Sequence, residues 1–236
     1  MRVALTLTYD GTTYLGSQIQ TETSNTIFGQ LQKVLSQLGI DSKAIASGRT
    51  DKGVHATGQV CHIDLPPFWS DTKKLKRVLN EMLPSSIQAL CVKEVSDEFH
   101  ARYSAKKRSY RYIIKEGESN PFENNYISFI DSVNFNEMQK NIKLFIGEHN
   151  FKYFMKTGSD VKGTIRVIYR AYAYRHKGAI ILHFEGNGYL RSQIRMMVGA
   201  LLKLNAVQIK EKLETKINHK VKPAPCNGLY LAKIRY

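Results

Sequence analysis

The sequence predicts an α+β protein in two related halves, residues 1–105 and 106–236, and three observations carry that prediction. Apolar residues recur with period two in some segments and on one helical face in others, as strands and helices require. Those segments follow one another in a similar rhythm in each half. The charge also changes at the boundary: residues 1–105 hold 11 Lys/Arg against 10 Asp/Glu, whereas residues 106–236 hold 24 against 10.

In the first half, Val3, Leu5, Leu7 and Tyr9 alternate with polar or small residues, the pattern of a half-buried strand. The loop "DGTTYLGSQIQ" follows. After "TETSNT", Phe28, Leu31, Leu35 and Leu38 share one helical face, with Gly39 as the stop. "ATGQVCHIDL" reads as a strand, so the glycine-rich stretch before it lies between strands. "DTKKLKRVLNEML" opens on Asp71, a suitable N-cap, and ends before Pro84, which marks a helix. "SIQALCVKEV" returns as a strand.

The second half begins with a strand at "SYRYIIK" and a helix around "FNEMQKNIKLFI". "RVIYRAYAYRHKGAIILHFEG" reads as a hairpin turning at Lys177-Gly178. A helix at "YLRSQIRMMVGALLKL" and a strand at "GLYLAKIRY" complete it. No identity between the halves is visible, so their kinship is one of topology alone.

Composition narrows the function classes. The 236 residues are 42% hydrophobic with 16 Gly and 6 Pro, enough for a substantial core and unlike a collagen or low-complexity polymer. The opening "MRVALTLTYDG" lacks the uninterrupted apolar run of a signal peptide, and "MMVGALL" is too short to cross a bilayer. A cytoplasmic protein without membrane association is expected. Three widely spaced cysteines, Cys61, Cys91 and Cys226, suit reduced, mostly buried thiols. A net charge of +15, concentrated in one half, gives the molecule a face that attracts polyanions, nucleic acid first among them.

Several kinds of chemistry find no support. Gly48 and Gly53 have P-loop spacing, but Val54 and His55 stand where that motif needs Lys and Ser or Thr. Cys61 and His62 are adjacent rather than spaced as metal ligands, and no Ser/His/Asp constellation can be assembled. Neither a metal nor a cofactor is expected.

Three constellations remain. In "ASGRTDKGVHATGQV", Asp51 lies between Arg49 and Lys52, whose charge favours the ionised carboxylate; Asp51 is then either a loop cap or a nucleophile or base. In "RYSAKKRSYRYIIK", cations at Arg102, Lys106, Lys107 and Arg108 mix with tyrosines at 103, 110 and 112. That mixture suits RNA with unpaired nucleotides, because cations neutralise phosphates while rings stack on bases; a cationic strand edge is the plainer alternative. In "NGYLRSQIRMMVGALL", Leu190, Ile194, Met197 and Leu201 form an apolar stripe with Arg191 and Arg195 one turn apart beside it. Such arginines either snorkel or meet a buried carboxylate.

Together, "YDGTTYLGSQIQ", "SGRTDKGVHATGQV", "DEFHARYSAKKRSYRYII", "GEHNF", "GNGYLRSQIRMMVGAL" and "GLYL" resemble the bacterial tRNA pseudouridine synthases of the TruA family, in family order from residue 9 to residue 231. "GRTDKGVHA" is the most specific of these. The resemblance implies the pseudouridine synthase fold: two ferredoxin-like halves forming a continuous, mainly antiparallel sheet flanked by helices, with a central cleft. It implies a cofactor-free homodimer that isomerises uridine to pseudouridine at positions 38, 39 and 40 of the tRNA anticodon stem-loop. By matching position, Asp51 is the catalytic aspartate, Tyr110 the base-stacking tyrosine and Arg195 the arginine that pairs with the aspartate. Arg49 matches a loop arginine associated with base flipping. Lys52, His55, Arg102, Lys106, Lys107, Arg108 and Arg191 are the further candidate RNA contacts. Ser17 stands where the family usually has tryptophan, and Gln193 where it has methionine. A non-catalytic RNA-binding protein and a synthase acting on another RNA are the competing functions.

Overall fold

A computed structural model describes residues 1–156, 158 and 163–236. The chain forms two compact units, one of Met1–Lys106 with Leu231–Tyr236 and the other of Lys107–Tyr230. It is an α+β protein with, among the described residues, ten strands and five α-helices, and with mainly antiparallel pairing.

The first unit holds β1 (Arg2–Tyr9), α1 (Ile27–Gln37), the short β2 (Ile45–Ala46), β3 (His55–Asp64), α2 (Thr72–Met82) and β4 (Ile87–Glu94). Strand β1 is central, antiparallel to β3 on one side and to β4 on the other, and its odd-numbered side chains Val3, Leu5, Leu7 and Tyr9 are buried. Helix α1 starts where the Thr26 side chain accepts the Gly29 N–H, and it buries Ile27, Phe28, Leu31, Val34 and Leu35. Gly39 follows with φ +69°, the left-handed stop that a side chain would resist. Asp71 caps α2 by accepting the Lys73 and Lys74 N–H groups.

The second unit runs through β5 (Lys107–Glu116), β6 (Ser128–Ile130), α3 (Phe135–Asn141), β7 (Gly147–Asn150), β8 (Ile165–His176), β9 (Ala179–Gly186), α4 (Gln193–Lys203) and α5 (Ala206–Leu213). Its strand order is β5-β9-β8-β7, with β6 parallel to β5. The predicted hairpin is present, and Lys177 and Gly178 both have positive φ, as its two-residue turn demands. The core of this unit includes Tyr112, Ile114, Leu182, Phe184, Met197, Phe145 and Phe154.

Four features expected from the sequence are altered in the structure. The last strand, β10 (Leu229–Arg235), carries residues 231–235 into the first unit, where Lys106 N–H bonds Arg235 O and the Tyr236 hydroxyl bonds Ala101 O. The helix expected over 135–146 ends at Asn141 and tightens to a 3-10 turn over 142–145. Helix α4 begins at Gln193 rather than at Tyr189, because Ser192 adopts a left-handed φ of 58°. Arg191 therefore precedes the helix and is not one turn from Arg195 along it. Of the three cysteines, Cys61 is buried but Cys91 is exposed and Cys226 only partly covered. Among the described residues no helix is long and apolar enough to cross a membrane.

Candidate active site and nucleic-acid contacts

In the first unit the segment from Ser47 to Val54 is a loop whose backbone is tied down by buried polar side chains. Gln59, fully buried on β3, donates to Gly48 O at 2.9 Å and accepts from Ser47 Oγ at 2.7 Å. Thr50 is held on three sides: its Oγ1 bonds the Tyr9 hydroxyl at 2.9 Å, its N–H donates to Ser17 Oγ at 2.8 Å, and its carbonyl accepts the Ser17 N–H at 3.1 Å. Burial pushes the Tyr9 phenol up to about 12, so it remains a neutral hydrogen-bonding group.

Asp51 follows this anchor and opens a turn in which Val54 N–H returns to Asp51 O at 3.1 Å. Gly53, the third residue of that turn, has φ +73°, as a type II turn requires. The chain approaches the Asp10-Gly11 turn so closely that a Cβ on Gly11 would lie 2.1 Å from Val54 O, so only glycine fits there. The outcome is alternation: Thr50 is buried, Asp51 is half-exposed, and Arg49 and Lys52 point outward. Asp51 is thus a partly exposed carboxylate on a loop held by buried hydrogen bonds, with cations on either side in sequence.

His55 is not at the surface. It is 1% exposed, its Nδ1 accepts the Gly11 N–H at 3.1 Å, and it faces Asp10 at 3.2 Å. It fastens the Asp10-Gly11 turn to β3. Arg102 is exposed, with its guanidinium 5.6 Å from the Tyr103 ring. Tyr103 is 76% exposed and lies on His100 at 4.4 Å, which in turn lies on His62 at 4.9 Å. The "FHAR" segment thus presents an aromatic ring supported from below. Lys106 is also exposed.

In the second unit Tyr110 sits on β5 opposite Phe184 of β9, on the face under the helices, and is 7% exposed. Tyr189 meets its ring edge-on at 5.1 Å and 81°. Burial, then the neighbouring Tyr110 and Glu185, hold the Tyr189 phenol well above its usual range, and its hydroxyl has no hydrogen-bond partner among the described residues. Arg195 lies on the first turns of α4, half-exposed, and its Nε donates to Ala224 O at 2.7 Å. That bond fixes one edge of the guanidinium.

Two expected RNA contacts in this unit are engaged by the protein. Lys107 Nζ lies 3.6 Å from the buried Glu185 carboxylate and 5.0 Å from the Tyr169 ring, and Arg108 donates to Asn187 O at 2.8 Å. Arg191 is exposed.

Both departures from the family pattern are buried and bond to backbone. Ser17 receives the Thr50 N–H, and Gln193 Oε1 accepts the Leu190 N–H at 2.8 Å ahead of α4. Sequence reasoning missed Tyr9, Ser17 and Gln59 as supports of the Asp51 loop, since nothing local to any of them points to a loop distant in the chain.

Comparison with known proteins agrees over the whole length. The family described as tRNA pseudouridine synthase matches residues 6–104 and 142–236. A Campylobacter jejuni protein named tRNA pseudouridine synthase A is 35% identical over 241 residues, spanning 100% of both chains. Proteins of the same name from Wolinella succinogenes and from an Exiguobacterium species are each 37% identical, covering 98% and 100% of this chain and 92% and 98% of their own.

Proposed function

Because the chain belongs to the tRNA pseudouridine synthase family, we propose that it isomerises uridine to pseudouridine at positions 38, 39 and 40 of the tRNA anticodon stem-loop, with Asp51 as its single catalytic carboxylate. The observation that carries this reading is the Asp51 loop, whose neighbouring Thr50 is bonded to Tyr9 and Ser17 while Asp51 itself remains accessible.

The reaction breaks the N1–C1′ bond, turns the uracil and forms a C5–C1′ bond. The proton lost from C5 is balanced by one gained at N1, so the conversion consumes no oxidant, reductant or second substrate. Ordinary retaining glycosidases use two carboxyl groups, the second of which protonates the leaving group and then activates water. Here one suffices, because a stacked and enclosed uracil is recaptured before water attacks the sugar. Addition of the carboxylate to C1′, its addition to C6 and abstraction of the 2′ proton all begin from the same ionised oxygen.

As the family resemblance implies, Tyr110 is the residue for stacking on the uracil and the base for the C5 proton, and Arg195 is the arginine assigned to the catalytic aspartate. Extruding the uridine costs a few kcal/mol, which phosphate contacts offset. Arg49, Lys52, Arg102, Lys106 and Arg191, all exposed, suit that work, with Tyr103 as an additional stacking ring. The homodimer implied by the resemblance is part of this reading, and sedimentation of the free protein tests it.

The decisive experiment uses tRNA carrying tritium at uracil C5. Asp51→Asn is expected to abolish tritium release while tRNA binding stays within about a few-fold of wild type. Turnover comparable to wild type would remove Asp51 from the chemistry.

A further inference from the structure

The β-sheet of the second unit has a face that the proposed chemistry does not use. Side chains alternate across a strand, so Tyr110, Tyr112, Ile180, Leu182, Phe184, Ala171 and Ala173 share the buried face. The opposite face carries the cross-strand rows Arg111–His183–Tyr172 and Ile113–Ile181–Tyr174. Tyr172 and Tyr174 are 44% and 36% exposed and Arg111 is exposed. Their rings form a ladder: Tyr172 lies on His183 at 4.8 Å and 25°, and on Tyr174 at 5.9 Å and 29°.

Charge identifies what such a ladder would meet. The next row outward is Ser109–Glu185–Arg170, in which Arg170 is exposed. Glu185, the one carboxylate on these three rows, is 3% exposed and accepts from Ser109 Oγ at 3.1 Å, with Lys107 Nζ 3.6 Å away. The turn of the hairpin adds the exposed His176 and Lys177. A second copy of this chain docked by two-fold symmetry would set this cationic surface against itself, which is unfavourable. A polyanion with flat, stackable rings suits it on both counts.

We propose that this face binds unpaired nucleotides of the tRNA substrate other than the uridine being isomerised, their bases stacking on the Tyr174–Tyr172–His183 ladder and their phosphates meeting Arg111 and Arg170. The inference rests on the tRNA reading above for its natural ligand, but the surface is physically separate from the face that holds Tyr110. Exposed aromatic side chains on an open sheet are a recurrent solution for single-stranded RNA, because every base offers a stacking face.

The test is equilibrium binding of two probes, a full tRNA transcript and an oligoadenylate, which stacks but holds no uridine for the isomerisation site. In the double variant Tyr172→Ala/Tyr174→Ala both affinities are expected to fall at least about fivefold, and in Tyr172→Phe/Tyr174→Phe both are retained. Thermal unfolding of each variant reports whether it is folded, and the phenylalanine pair keeps the comparison valid if the alanine pair is not. Unchanged affinity of the folded alanine variant for both probes would overturn the proposal. So would conversion of a dimer to a monomer with affinity per subunit unchanged, which would make this face a contact between copies. Failure of wild type to bind or modify tRNA, with oligoadenylate still lost on removal of the ladder, would instead count against the tRNA reading alone.

Discussion

At Ser17 a small side chain does what its position in the loop requires by bonding rather than by bulk. Its Oγ receives the Thr50 N–H at 2.8 Å in a site where Ser17 is 1% exposed. Ser17→Ala leaves that buried amide without an acceptor, so it is expected to destabilise the protein by about 1–3 kcal/mol, measured by denaturant unfolding. It is also expected to lower turnover, because Thr50 adjoins Asp51. Ser17→Thr, which keeps the hydroxyl, is the matched control: a loss as large as that of alanine would show that packing, not the hydrogen bond, sets the effect. Asp51 was legible from its motif, since a carboxylate between two cations among glycines is a local pattern. His55 belongs to the same motif, but its burial could not be read there, because the contact that buries it, Gly11 N–H to Nδ1, joins residues 44 apart in the chain. Tyr9 and Gln59 were silent for the same reason. Apolar period and charge describe the environment a residue asks for, not the distant atom it finds.

The long elements with clean periodicity, β1, α1, α2 and the β8–β9 hairpin, were readable because burial of one face repeats along each of them. What could not be read was short or non-local. Strands β2, β6 and β7 span two, three and four residues, too few for a period to show. The left-handed Ser192 that delays α4 has no signature, whereas α5 did carry one in its Asn205–Gln208 capping box. Helix α5 also holds the clearest element-scale test. Lys212 on its last turn is fully buried, donates to Asn218 Oδ1 at 2.6 Å, and lies 5.0 Å from the Phe154 ring and 5.7 Å from that of Tyr153. Burial lowers its ammonium from 10.5 to about 8. Between those two values the unfolded chain binds more protons than the folded one, so stability rises with pH across that window. The contribution is fully present above about 10.5 and is lost as pH falls through about 8. Relative to Lys212→Met, wild type is expected to gain stability over that range in thermal unfolding; parallel curves for the two proteins would show that Lys212 does not titrate there.

For the molecule as a whole, charge is the quantity that links sequence to substrate. The excess of +15 comes almost entirely from residues 106–236, with 24 Lys/Arg against 10 Asp/Glu, while residues 1–105 are nearly neutral at 11 against 10. Were that excess only a device for solubility, it would have no reason to be concentrated, and tRNA affinity would respond weakly to salt. If it neutralises phosphates, binding releases condensed counterions, and the affinity falls linearly with the logarithm of salt concentration. With about five phosphates neutralised, the log–log slope is about −4 and affinity falls on the order of a hundredfold between roughly 50 and 200 mM salt. Replacing one exposed contributor, Lys52→Gln or Arg191→Gln, should weaken binding to any tRNA sequence and reduce the slope by about 1, the signature of a phosphate rather than a base contact. Lys107→Gln should move the slope far less, because its ammonium already lies beside Glu185 and the Tyr169 ring. A flat salt response in wild type would refute the electrostatic account. Equal slope changes for Lys52 and Lys107 would refute the distinction between cations that face the solvent and cations the fold has already used.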